Sequence, residues 1–209
     1  MSAWQTCPSL EDLDLLHRAE VNLVSVRRTL PAWLDASLTT WARGAPAKFD
    51  QILRTDRYDL SGATHGLPEA TRLWLTSDVA VLLGRFAHFA GASRLRVSFS
   101  AVRSDQCRRF HMDDVRYRLV TTYAGPGTEW VPEHALCREA LEHPADCPCD
   151  ANQAIVRNAS AVRHAGPGEI VVMKGALHPH GLGAVHRSPP IEATGQLRVV
   201  LIASTVEGS

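Results

Sequence analysis

The chain has 209 residues, which is enough for one domain with extensions, and its 45% hydrophobic and 21% charged content is ordinary for a globular protein. Lysine plus arginine and aspartate plus glutamate both number 22, so the formal net charge is zero. This balance gives no electrostatic reason to expect nucleic acid or an anionic membrane as a partner, and no apolar run approaches the length of a transmembrane helix.

The first 92 residues are predicted to be mainly helical. Ser9, followed by Asp12, resembles a capping box and predicts a helix over 9–19. Pro31 suits the first turn of a second helix, which would run to about residue 43. The clearest helix spans 68–90, where five apolar residues recur at helical spacing and a glycine follows as a C-cap. Those five residues are Leu75, Val79, Leu82, Leu83 and Phe86. A strand over 21–26 and a loop over 44–59 complete this part.

Downstream of Gly91 the spacing of apolar residues changes from the helical period to every second residue. Residues 95–101 alternate apolar and polar side chains, and 117–123 are rich in β-branched and aromatic residues, as in strands. Further strands are expected over 128–131, 155–162, 169–174 and 197–205, with a helix over 133–142 and a polar loop over 143–153. Many short strands separated by Gly-Pro turns predict a barrel or a double-sheet jelly roll.

The stretch Phe110-His111-Met112-Asp113-Asp114 lies between two of these strands. Side chains two residues apart in extended chain point the same way, so His111 and Asp113 can offer a nitrogen and an oxygen to one ion. His186, far downstream, can add a second nitrogen from a neighbouring strand. Two histidines and one carboxylate leave coordination positions open, a set typical of non-haem Fe(II) oxygenases.

Arg198 follows His186 on the last predicted strand, and an arginine there can hold a carboxylate through two hydrogen bonds. Together with His111, Asp113 and His186, and in that order, it resembles the pattern of Fe(II)/2-oxoglutarate-dependent oxygenases. The resemblance covers roughly residues 93–206.

This resemblance implies a double-stranded β-helix over 93–209, with residues 1–92 as a helical layer packed on the barrel, in one structural domain. His111, Asp113 and His186 would hold Fe(II), and Arg198 would bind the distal carboxylate of 2-oxoglutarate. Arg187 is a second candidate for that carboxylate, and Tyr123 is expected to hydrogen-bond the cosubstrate. Neither the substrate nor the oligomeric state is indicated.

More narrowly, three segments resemble the signature of a bacterial family defined only as a domain of unknown function. They are Arg118-Leu119-Val120-Thr121-Thr122-Tyr123, Gly125-Pro126-Gly127-Thr128-Glu129-Trp130-Val131 and Val185-His186-Arg187-Ser188-Pro189-Pro190. That resemblance covers most of the chain and implies no activity. Members of that family are associated with metal-homeostasis proteins, so a metal-binding jelly roll without oxygenase activity is the alternative function.

Two other groups of potential ligands leave further alternatives open. His178 and His180, with His186, are possible ligands of a cupin-like site for Zn, Mn or Fe, although that pattern expects its His-x-His pair earlier in the chain. Cys137, Cys147 and Cys149 are a possible second metal site in a polar loop, with an inert surface loop as the structural alternative.

The cysteine count and the N-terminal stretch bear on location. Five cysteines are an odd number and do not suggest a disulfide framework. The N-terminal stretch lacks the basic and apolar regions of a secretory signal. These features predict a reducing, cytoplasmic location. The absence of P-loop, Gly-x-Ser-x-Gly and Gly-x-Gly-x-x-Gly motifs argues against NTPase, hydrolase and Rossmann functions.

Overall fold

A computed structural model describes residues 4–44 and 48–206. Part of the predicted loop over 44–59, namely 45–47, lies outside the described residues. The strands, in chain order, are β1 (Trp4–Cys7), β2 (Leu23–Val26), β3 (Phe49–Arg54), β4 (Arg94–Val102), β5 (Tyr117–Ala124), β6 (Glu129–Trp130), β7 (Arg163–His164), β8 (Ile170–Lys174), β9 (His186–Arg187) and β10 (Arg198–Thr205).

The helices flank these strands. The α-helices are α1 (Ala32–Arg43), α2 (Glu69–Ala90), α3 (Glu139–Glu142) and α4 (Pro148–Ile155). Short 3-10 helices span Leu10–His17, Glu133–Ala135, Ala159–Ala161 and Glu192–Thr194. Across residues 4–44 and 48–206, no helix combines the length and the apolar character needed to cross a bilayer.

Two sheets organise this mixed α/β fold, which is consistent with a jelly-roll-like arrangement. The large sheet has seven strands in the order β1-β2-β8-β5-β10-β4-β3 and is antiparallel except for the parallel β1–β2 pair. The small sheet has the order β7-β6-β9. An isolated antiparallel bridge between His111 and His186 continues the small sheet beyond β9.

The large sheet is buried on both faces. On one face, Leu119 and Leu201 pack with apolar residues of α1 and α2 in the main core cluster. On the other face, Val120 and Val200 pack with Trp130 of the small sheet. The helices therefore cover one side of the large sheet, and the space between the two sheets lies on the other side.

Several predicted elements are confirmed at their expected places. Ser9 forms the predicted capping box, although the helix that it starts is a 3-10 helix. Helices α1 and α2 match the second and third predicted helices, and Gly91 ends α2 with a left-handed φ of 59°. Strands β4, β5, β8 and β10 match the strands predicted from alternation. The division of the chain at residue 92 stays a prediction.

Three predictions of local structure are wrong. Strand β3 forms within the predicted loop. In the described part of the chain it is an edge strand that pairs with β4 alone, and half of its side chains are exposed, so no apolar alternation marks it. Helix α4 occupies most of the polar loop predicted over 143–153, and the strand predicted over 155–162 is instead the end of α4 and a 3-10 helix. Only Ala151 and Ile155 of α4 are buried, one turn apart, which is too weak a pattern to show a helix.

Candidate metal centre

His111, Asp113 and His186 are brought together at one end of the space between the sheets. One ligand atom of each lies within 4.8 Å of the others, so the three residues could hold a metal ion. The antiparallel bridge accounts for this closeness, because the backbone N–H of each histidine donates to the carbonyl of the other at 3.0 Å. The centroids of the two imidazole rings lie 4.8 Å apart.

Backbone carbonyls orient both imidazoles toward the carboxylate. Nδ1 of His111 lies 2.8 Å from the carbonyl of Arg109, and Nδ1 of His186 lies 3.3 Å from that of Ala184. A carbonyl only accepts, so each Nδ1 carries a proton and a neutral ring presents the lone pair of Nε2. These Nε2 atoms lie 3.5 Å and 3.0 Å from the Asp113 carboxylate oxygens. Lone pairs that face a carboxylate repel it unless a cation or a proton lies between them.

The carboxylate of Asp113 is almost completely buried yet ionised. Burial by itself would raise its pKa, but its contacts with His111 and His186 and the charge of Arg118 outweigh burial and hold the pKa far below its usual range. Burial tends to lower the pKa of His111, but its contact with Asp113 and the carbonyl of Arg109 outweigh burial, so this pKa is raised. An ionised carboxylate therefore faces the two Nε2 atoms.

Two contacts position the segment that carries His111 and Asp113. The side chain of Asn152 on α4 accepts from the backbone N–H of Phe110 and donates to the carbonyl of Arg108, both at 2.9 Å. After Asp113, the turn that follows β8 closes on the segment at Gly175. A Cβ at Gly175 would lie 2.0 Å from the Val115 carbonyl oxygen, so only glycine permits this approach.

A pocket opens beside the three candidate ligands. Val120, Val200 and Ile202 form its apolar side, and its polar lining includes His111, His186, Arg118, Arg187 and Arg198. Its cavity volume is about 40 Å³.

Arg198 lies within this pocket, and only 3% of it is exposed. Its Nη2 donates to Oγ1 of Thr122 at 3.2 Å. Burial lowers the pKa of Arg198 to about 10, against the opposing charge of Glu129, so the guanidinium remains cationic at neutral pH. Arg187 shares the pocket, but its Nε donates to Glu129 at 2.6 Å.

Tyr123, predicted to contact the cosubstrate, is placed on the opposite face of the large sheet. Its ring packs in the helix-covered core, and its hydroxyl donates to Oδ2 of Asp78 on α2 at 2.6 Å. Burial and then the charge of Asp78 raise its pKa well above the usual value, so it stays a donor. Residues of β5 alternate between faces, so Thr122, rather than Tyr123, shares the pocket side with Arg118.

We expect Tyr123→Phe to lower the free energy of unfolding by about 1–3 kcal/mol, because Asp78 loses a buried donor. Metal binding should not change. Urea unfolding measures the first effect. Tyr58→Phe is a matched control, since among the described residues the buried Tyr58 hydroxyl has no hydrogen-bond partner. Equal losses in both variants would contradict a specific role for the Tyr123–Asp78 bond.

The three-cysteine site is not assembled. Cys147 and Cys149 are joined by a disulfide bond, and Cys137 is a separate free thiol. The disulfide links residues only two apart, so it closes a local turn and does not form the framework that the cysteine count argued against. Cys147, Cys149 and Asp150 lie within metal-ligand distance of one another, but both sulfurs are committed to the disulfide.

The cupin-like set is also separated. His178 and His180 line another pocket, together with His17 and His88, and Nε2 of His178 lies 2.8 Å from the hydroxyl of Tyr117. His186 lines the pocket between the sheets instead.

Sequence reasoning missed Arg118 and Asn152. A signal for Arg118 was present, because it is the one charged residue of an otherwise uncharged strand, on the face shared with Val120 and Thr122. Asn152 had no comparable signal, since its helix was predicted as a loop.

Residues 8–203, nearly the whole chain, match a family described as a protein of unknown function, DUF1826. The chain belongs to this family. The narrower resemblance drawn from the sequence is thereby confirmed. No curated protein matches the chain.

Among solved structures, a Pseudomonas putida prolyl-4-hydroxylase is similar at 18% identity, covering 96% of this chain and 99% of the hydroxylase, with a TM-score of 0.45. A bsmA homolog from Methylobium petroleophilum is similar at 12% identity, covering 95% and 92%, with a TM-score of 0.45. At these values neither similarity assigns an activity, so the function is argued from the site itself.

Proposed function

We propose that this chain is an Fe(II)/2-oxoglutarate-dependent oxygenase built on a double-stranded β-helix. Iron would be held by His111, Asp113 and His186, and 2-oxoglutarate would be held through Arg198. The residues fit such a pair of ligands in charge and in kind, since two imidazoles and a carboxylate suit Fe(II) and a buried guanidinium suits a dicarboxylate.

One observation carries this proposal: two buried polar atoms without partners belong to this one site. Among the described residues, Oδ2 of Asp113 and Nε of Arg198 receive or make no hydrogen bond. Native proteins leave few buried polar atoms unpaired, so an unpaired acceptor among the candidate ligands and an unpaired donor in the pocket beside them support the presence of ligands that satisfy them. A cation at Oδ2 and a carboxylate at Nε would do so.

The succession of strands supports the β-helix. From β4 to β10 the chain visits the large sheet at β4, β5, β8 and β10. In between it visits the small sheet at the His111 bridge, at β6 and β7 together, and at β9. Four strands of the large sheet thus alternate with three strands and one bridge of the small sheet, which is the succession expected of a jelly roll.

A bound Fe(II) with 2-oxoglutarate supplies the oxidising chemistry by which such enzymes hydroxylate an unactivated C–H bond. The protein's own residues orient and enclose the reactants. Arg198 and Thr122 would fix the distal carboxylate, while the carbonyls of Arg109 and Ala184 hold both imidazoles with Nε2 toward the metal. Val120 and Val200 form an apolar wall that excludes water from one side of the pocket.

A second function, a metal-binding jelly roll without oxygenase activity, is favoured by the size of the pocket. Its volume of about 40 Å³ accommodates a few water molecules, which is less than 2-oxoglutarate needs. Fe, Zn or Mn could then be bound without a cosubstrate. An oxygenase requires the pocket to widen as 2-oxoglutarate enters.

The test is a titration of 2-oxoglutarate into anaerobic, Fe(II)-loaded protein. We expect a visible metal-to-ligand charge-transfer band, which arises only when the cosubstrate chelates the iron. No band, with iron shown to be bound, would overturn the oxygenase proposal and leave the second function. Failure to bind any of Fe(II), Zn(II) and Mn(II) would overturn both.

A further inference from the structure

Arg118 is held at two points beside the candidate metal site. Its Nη1 donates to Oδ1 of Asp113. Its Nε donates to Oγ of Ser204 at 3.1 Å, and Ser204 lies opposite Arg118 in the ladder between β10 and β5. Ser204 is only 4% exposed, so the guanidinium is fixed between a buried hydroxyl and the carboxylate.

The two oxygens of Asp113 therefore differ. Oδ1 bears the guanidinium of Arg118. Oδ2 lies 3.0 Å from Nε2 of His186 but, among the described residues, accepts no hydrogen bond. Nε2 of His111 lies 3.5 Å from Oδ1, so both candidate histidines face this carboxylate, and Oδ2 is the oxygen left without a hydrogen-bond donor.

We propose that Arg118 keeps Asp113 monodentate, so that a bound metal receives Oδ2 alone. The inference rests on the metal site of the proposed function and adds a positioning residue to it. A bidentate carboxylate would fill two positions of a six-coordinate ion, whereas one oxygen and two imidazoles leave three positions open. Arg118 thereby sets how many positions other ligands can take.

Arg118 is not a stand-in for the metal. Its guanidinium lies on Oδ1, and the approach of a cation to Oδ2 and to Nε2 of His186 leaves that contact in place. Because its other end is anchored on Ser204, Arg118 stays with Asp113 when the metal binds. Both cations then share one carboxylate through different oxygens.

The experiment counts metal-bound water on the full chain loaded with Mn(II), an ion that accepts this ligand set in six-coordinate geometry. The water-proton relaxation rate per bound Mn(II) reports the number of exchangeable waters. We expect three in the wild type and two in Arg118→Met, so the rate should fall to about two-thirds. Arg54→Met is a matched control, since Arg54 also pairs with an aspartate, Asp56, but outside this pocket, and it should retain the wild-type rate.

Ser204→Ala is the second variant, because it removes the hydroxyl that anchors Arg118 and retains the charges of Arg118 and Asp113. We expect a relaxation rate between those of the wild type and Arg118→Met. If Arg118→Met does not fold, the rate of Ser204→Ala tests the inference instead. A wild-type relaxation rate in Arg118→Met would overturn the inference while leaving the metal site intact. If Arg118→Met does not fold, a wild-type rate in Ser204→Ala would do the same. Failure of the wild type to bind Mn(II) would overturn the metal site as well.

Discussion

A chelator is expected to lower the melting temperature of the wild-type chain by roughly 10 °C, and His186→Ala is expected to abolish this shift. The metal would bind the folded chain only, because the histidines lie 75 positions apart in sequence and meet through the antiparallel bridge. At about 1,000 times Kd, a ligand of the folded state stabilises it by about 4 kcal/mol. In a chain of this size, each kcal/mol shifts the melting temperature by about 2–4 °C.

The measurement is a thermal melt of metal-loaded protein with and without chelator. His180→Ala is the matched control, since His180 is an exposed histidine of the other pocket and should leave the shift unchanged. A chelator shift that survives in His186→Ala would contradict the three-residue site. No shift in the wild type would mean that the metal contributes little to folding stability and would count against the site.

Arg198→Met is expected to weaken 2-oxoglutarate binding about 100-fold or more. Removing one partner of a buried charge pair costs about 2–5 kcal/mol, and each 1.4 kcal/mol is a factor of ten in Kd. Arg198 is suited to such an effect because it is buried, cationic and has a free Nε among the described residues. The charge-transfer titration measures Kd directly.

Two further variants sharpen that result. Arg198→Lys keeps the charge but loses the planar fork, so its Kd should lie between those of the wild type and Arg198→Met. Arg72→Met, on the exposed side of α2, should bind as the wild type does. Unchanged binding in Arg198→Met would exclude Arg198 as the carboxylate anchor and turn attention to Arg187, the other arginine predicted for this role.

Patterns of local origin were readable from the sequence. The capping box at Ser9 and the left-handed Gly91 depend on a few neighbouring residues, so their chemistry is visible in the chain. The alternation of β4 and the apolar spacing of α2 reflect burial on one side. Elements with little burial, such as β3 and α4, carry no such pattern and were predicted as loops.

The placement of Tyr123 shows a different limit. Strand β5 is buried on both faces, by helices on one and by the small sheet on the other, so alternation separates two sets of residues without saying which faces the site. The sequence pattern was therefore compatible with Tyr123 at the cosubstrate. Its hydrogen bond to Asp78, 45 positions away, decides its face.

The sequence by itself indicated His111 and Asp113 as candidate ligands, because His-x-Asp spacing on extended chain is a local property. It also determined the family, through motifs spread along most of the chain. Only the tertiary structure decided that His186 meets His111, that Arg198 lines the same pocket, and that Arg118 and Asn152 hold the ligand segment. These depend on strand register and on contacts between distant segments, which the packing of the whole chain sets.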